Sequence, residues 1–170
     1  MRVSREELWS RTKCNFEVDD GSLPTVELSP LSGDEVASIY AFLRGRSRLA
    51  SENSTFWDHG LNRDRPIDDV PNAALLVSNG SAAAFHFTVD GVHEADSEIP
   101  CLGVHVFMDC IAIDYQMGPE WNAQNVYAFF QLLKSIFTQA RAGSLQPDKG
   151  EGPPEPELFM AAWRDVLAED

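Results

Sequence analysis

Lysine and arginine are absent from Pro66 through Leu133, although the chain of 170 residues carries thirteen of them elsewhere. The same stretch holds nine acids, Asp68, Asp69, Asp90, Glu94, Asp96, Glu98, Asp109, Asp114 and Glu120, for a net charge of −9. Residues 1–65, with nine basic and eleven acidic side chains, contribute −2. Residues 134–170, with four and seven, contribute −3 and complete the total of −14. Phosphate backbones are bound by Lys and Arg that displace counterions, so the distribution argues against DNA or RNA as a direct partner. An anionic lipid surface repels such a chain for the same reason. The electrostatic complement of a located acidic stretch is a basic protein surface.

Other absences narrow the field further. No run of 18 apolar residues free of charge occurs, so no membrane span is expected. The run from Met1 to Trp9 has no apolar core followed by small residues, and no signal peptide is expected there. Cysteine is scarce: Cys14, Cys101 and Cys110 form no C-x-x-C pair, which disfavours a zinc knuckle or a thioredoxin-like motif. Three reduced thiols in a cytoplasmic protein are the expectation. Neither G-x-G-x-x-G nor G-x-x-x-x-G-K-[ST] is present, so no phosphate-cradling loop supports a nucleotide-dependent enzyme.

Apolar residues are plentiful, at 44% of the chain with 10% aromatic, enough for one buried core rather than a disordered tail. Ser4 followed by Glu7, and Ser32 followed by Glu35, have capping-box spacing, which predicts helices over about 5–13 and 33–47. Thr25 to Leu28, between Pro24 and Pro30, is expected as a short edge strand. In the turn-rich stretch 49–72, Phe56 and Trp57 are the expected anchors into the core. Ala73 to Val77 and Ala83 to Val89 are expected as strands joined by an Asn79-Gly80 turn. Phe85, Phe87 and Val89 alternate with His86, Thr88 and Asp90, so one face is buried and the other open. The runs 102–109 and 110–115 are expected as a hairpin, because Asp109 suits a strand centre poorly. Gly118-Pro119-Glu120 is expected to open the main helix, with Gly143 beyond its end. Residues 144–156 are expected as a Pro/Gly-rich linker before a helix starting at Pro156. These elements predict a single α+β domain over 1–170, with an antiparallel sheet of four to five strands packed against helices.

Few residues suggest chemistry. His86 and His105 share an alternation phase with Asp90 and Asp109, so on neighbouring strands they and an aspartate would converge as metal ligands of a hydrolase. No H-x-H or H-E-x-x-H spacing imposes that geometry, and surface histidines are the simpler expectation. Cys101 or Cys110 beside His105 lacks the positive surroundings that activate a thiol. Asp90, Asp109 and Asp114 could pair as carboxylates, but a solvated acidic face accounts for them equally. No catalytic residue, metal or cofactor is therefore assigned. Ile113 to Trp121 sets acids and aromatics side by side, which suits either a protein-binding surface or a strand–helix junction with Trp121 plugging the core.

The block from Pro100 through Asp109 and Asp114 to Trp121 is similar in pattern to strand–strand–helix blocks of immunity proteins from bacterial toxin–immunity systems, in layout and charge over about residues 70–140. What the resemblance implies is an inhibitor that is not an enzyme and that occludes a cognate, basic toxin domain. Asp90, Glu94, Asp96, Glu98, Asp109, Asp114 and Glu120 would then form an acidic patch, with Tyr115 and Trp121 as anchors. A metal-dependent hydrolase using His86 and His105, and a structural or adaptor subunit, are the alternatives.

Overall fold

The structure, a computed structural model, describes residues 2–169. Along the chain these form α1 (Arg5–Thr12), β1 (Thr25–Ser29), α2 (Gly33–Arg44), β2 (Arg48–Leu49), β3 (Thr55–Asp58), β4 (Arg63–Pro66) and α3 (Ala73–Ser78). There follow β5 (Phe85–Asp90), β6 (His93–Glu94), β7 (Ser97–Glu98), β8 (Leu102–Val106), β9 (Ile111–Tyr115), α4 (Ala123–Phe137), β10 (Ser144–Pro147) and α5 (Pro156–Leu167). The fold is α+β. Its main sheet has six antiparallel strands in the order β10-β1-β9-β8-β5-β2, and β3–β4 and β6–β7 are separate hairpins.

Period-two alternation sorts the sheet into two faces. Val26, Leu28, Leu145, Ile111, Ile113, Tyr115, Leu102, Val104, Val106, Phe85, Phe87 and Val89 share the inner face and are buried. Helices cover that side. Tyr40 of α2 meets Phe85 and Phe87 edge-on, and Phe129 of α4 lies 5.4 Å from Tyr115. Phe16 stacks on Tyr115 at 4.8 Å and also meets Trp121, Phe129, Phe130 and Phe159, so one aromatic cluster ties the segment after α1, together with α4 and α5, to the sheet. The outer face carries Thr25, Glu27, Ala112, Asp114, Gly103, His105, His86, Thr88 and Asp90 in register.

Several elements depart from expectation for local reasons. Residues 73–78 form a helix, because the Asn72 side chain caps it by accepting from the Leu75 amide at 3.2 Å. Asn79-Gly80 then ends that helix, with Gly80 at φ +82, instead of turning a hairpin. The main helix starts at Ala123, not at Pro119, because Asn122 and Asn125 form a reciprocal capping box, and Thr138 rather than Gly143 caps its end. Ser144–Pro147, inside the expected linker, pairs with β1 as an edge strand, which moves β1 to an interior position. Phe56 is buried, but Trp57 is 41% exposed. The 102–115 hairpin forms, with Met108 and Asp109 at its tip.

Candidate functional site

Of the six strands of the main sheet only β2 carries a Lys or Arg, Arg48, and the outer face of β9, β8 and β5 brings three polar side chains together. His105 and His86 are direct cross-strand partners, and their rings lie 4.1 Å apart. Cross-strand neighbours on one face come this close wherever strands pair. Asp114 sits one row away on β9, opposite Gly103. Its Oδ2 is 2.9 Å from His105 Nε2 and 2.8 Å from His86 Nε2, so one oxygen joins residues of three strands.

Gly103 makes that reach possible. A Cβ added there would stand 2.2 Å from Asp114 Oδ2. The carboxylate therefore lies across the glycine backbone on its way to β5, and any larger side chain would occupy its path. Asp114 has only 6% of its side chain exposed, whereas His86 and His105 keep 38% and 35%. Burial pushes the Asp114 carboxyl upward, but the hydrogen bonds and positive fields of His105 and His86 outweigh it and hold the group below the usual carboxylate range. An ionised carboxylate only accepts, so each imidazole donates through Nε2.

A second carboxyl pair flanks the trio. Glu27 occupies the same row as His105 across Ala112. Burial, then the side chain and charge of Asp148, push Glu27 up, while the amides of Glu151 and Gly150 hold Asp148 down. Asp148 accepts from the two amides at 2.7 and 2.9 Å. An open depression of about 400 Å³ runs from Glu27 and Ser29 past Phe107 to Cys110. The Phe107 ring is parallel to His105 within 3°. A smaller one, about 230 Å³, lies beside His86 and Thr88 under residues 51–55.

The expected acidic patch is divided. Asp90, at the end of β5, pairs across the ladder with Arg48. Glu94 bonds Arg46 at 3.0 Å, and Glu98 stands near His93; with the exposed Asp96 they belong to the β6–β7 hairpin, which packs against α4. Asp109 is at the opposite end of β8, and Glu120 is exposed ahead of α4. The two aromatic anchors are not at the surface. Tyr115 is fully buried with its hydroxyl donating to Asn15 O at 2.9 Å, and Trp121 is 3% exposed with Nε1 donating to Gln116 O at 2.7 Å. Both fill the space between sheet and helices, so the junction expectation describes Trp121. Asp19, outside the Lys/Arg-free stretch, was not singled out, yet Gln116 holds it at 3.1 Å beside the end of β9.

No family model, curated protein or solved structure matches the chain. Burial, then the charge and hydrogen bond of Asp90, push Cys101 up to about 11, and burial with Glu27 and Asp109 pushes Cys110 up to about 12. No helix among the described residues is long and apolar enough to cross a membrane.

Proposed function

We propose that this chain is a binding protein that neutralises a basic protein partner, in the manner of immunity proteins of bacterial toxin systems, and that its working surface is the outer face of the six-stranded sheet. One observation carries the proposal. Helices α2 and α4 pack on the other side, and the three central strands offer the open face carboxylates and imidazoles without one Lys or Arg. Positive charge approaches at the margins, from Arg48 beside Asp90 and from Lys149 near Glu27.

Size decides how a partner must sit. Six strands span about 24 Å and the five-residue strands β1, β8 and β9 are about 17 Å long, so the face offers at most roughly 400 Å². A stable interface takes about 800 Å² from each partner, so the partner also covers part of the rim, where Asp90, Asp109 and Glu120 stand. The negative charge of the central face speeds encounter with a cationic surface and makes the association rate fall steeply with salt.

The test is binding to the product of the neighbouring reading frame, read as association rate against ionic strength. Expression of that product alone should arrest growth, and co-expression of this chain should restore it. Asp90→Lys with Asp109→Lys should slow association while leaving the fold intact. A harmless neighbouring product that shows no binding would remove the basis for the proposal.

A further inference from the structure

The trio on the central strands has a donor set that the binding proposal does not use. We infer that His86, His105 and Asp114 form a site for one borderline divalent first-row metal ion, of which zinc is the type, with the remaining coordination positions open to the outer face of the sheet.

Two imidazoles and one carboxylate are ligands that such ions accept together, and three protein ligands leave room for water or a ligand in further positions. Donors about 2.0–2.1 Å from one ion stand about 3.3 Å apart when the set is tetrahedral. Here the carboxylate oxygen is 2.8 and 2.9 Å from the two imidazole nitrogens, and all three atoms lie within 4.8 Å of one another. To admit the ion the two oxygen–nitrogen distances must widen by about half an ångström while the two nitrogens settle near the same spacing. Each imidazole then turns its Nε2 lone pair to the metal and carries its hydrogen on Nδ1, so two hydrogen bonds are exchanged for three coordinate bonds.

The surroundings are built for a cation. Asp114 is nearly buried, with 6% of its side chain exposed, and its Oδ2 faces both imidazoles. Gly103 gives its carboxylate a path to both rings. The backbone register of three paired strands fixes the ligand positions, which is more rigid than a loop site. Its sequence separations, nine residues from His105 and twenty-eight from His86, belong to no compact motif, because the sheet and not the local chain brings the ligands together. The site stands whether or not the face binds a protein partner, since it is measured on the isolated chain.

Calorimetric titration of the metal-free chain with zinc chloride tests it. One saturable site per chain is expected. His86→Ala and His105→Ala should each weaken it by at least about a hundred-fold, and Asp114→Asn by at least about ten-fold, since each removes one of three ligands. His93→Ala, whose ring lies outside the cluster, should leave binding unchanged, and calcium, which prefers all-oxygen sites, should give no saturable heat. Cobalt in place of zinc should develop a visible absorption band that both histidine variants lose. Circular dichroism of the two variants should match the parent, because both rings are a third exposed. Zinc binding that survives loss of both His86 and His105, or no saturable binding at all, overturns the inference.

Discussion

Replacing Gly103 with alanine should destabilise the protein by about 2–3 kcal/mol, although alanine is ordinarily the better strand residue. The added Cβ would stand 2.2 Å from Oδ2 and 2.3 Å from Oδ1 of Asp114, so the carboxylate must rotate away. That rotation breaks its hydrogen bonds to both His86 and His105. Hydrogen bonds to charged groups contribute about 1.5–3 kcal/mol each, and the lower value applies where the imidazoles are partly in water. Relief of glycine's backbone entropy returns about 0.5–1 kcal/mol. For a domain of this size the net should lower the melting temperature by about 4–12 °C, read by differential scanning calorimetry. A double-mutant cycle isolates the cause. On an Asp114→Ala background no carboxylate is displaced, so Gly103→Ala should be neutral or slightly stabilising there. If Gly103→Ala is harmless in the parent, or equally costly on both backgrounds, the carboxylate does not depend on the glycine as argued.

Three further outcomes follow from packing and charge. Trp121→Ala should cost about 3–5 kcal/mol by leaving a cavity against Phe16, Tyr115 and Phe129, a loss visible in chemical denaturation. At pH 8 a thiol titrating near 11 is thiolate in about one part in a thousand, so a disulfide reagent should label Cys101 slowly and Cys110 more slowly still, with both reacting at once after unfolding. The Asp58 carboxyl is held below its ordinary value by the Arg65 hydrogen bond at 2.9 Å and by the Leu61 amide. Its folded value lies below its unfolded one, so its contribution is complete above about pH 4 and is lost as pH falls through the folded value. Asp58→Asn should therefore flatten the acid limb of a stability–pH profile and leave the limb above neutrality unchanged.

The α+β class and the inner face were legible because alternation in 85–90 and 102–115 survives folding unchanged. Where the sequence misled, a single capping side chain or an unforeseen partner strand decided. Ala73 to Val77 is an apolar run too short for periodicity to separate strand from helix, and the Asn72 side chain settles it. Ser144–Pro147 has one inward residue, Leu145, and becomes a strand because β1 offers a free edge, a long-range condition with no local signal. Pro119 and Glu120 are good helix openers, yet the reciprocal bonds of Asn122 and Asn125 satisfy the first amides more completely.

The site was half legible for the same physical reason. His86 and His105 share a phase, and the cross-strand register that makes them neighbours is set by hydrophobic alternation on the inner face, since a slip of one residue would bury the histidines and expose Val104 and Phe87. The acids read in phase with the histidines were Asp90 and Asp109, whereas the structure brings Asp114 to them. Gly103 accounts for the difference. A glycine inside a strand weakens that strand and commonly marks a close approach by another group. Opposite it in the ladder stands Asp114, while Asp90 and Asp109 lie at opposite ends of the sheet. Reading the glycine as room for a neighbour's side chain would have chosen Asp114 from the hairpin register alone. The acidic stretch, by contrast, was over-read. Charge summed along the chain placed nine carboxylates together, but folding bonds Glu94 to Arg46 and Asp68 to Arg44, and buries Asp114 between two imidazoles. What distinguishes the open face is therefore the lack of cations on its central strands more than any count of its anions.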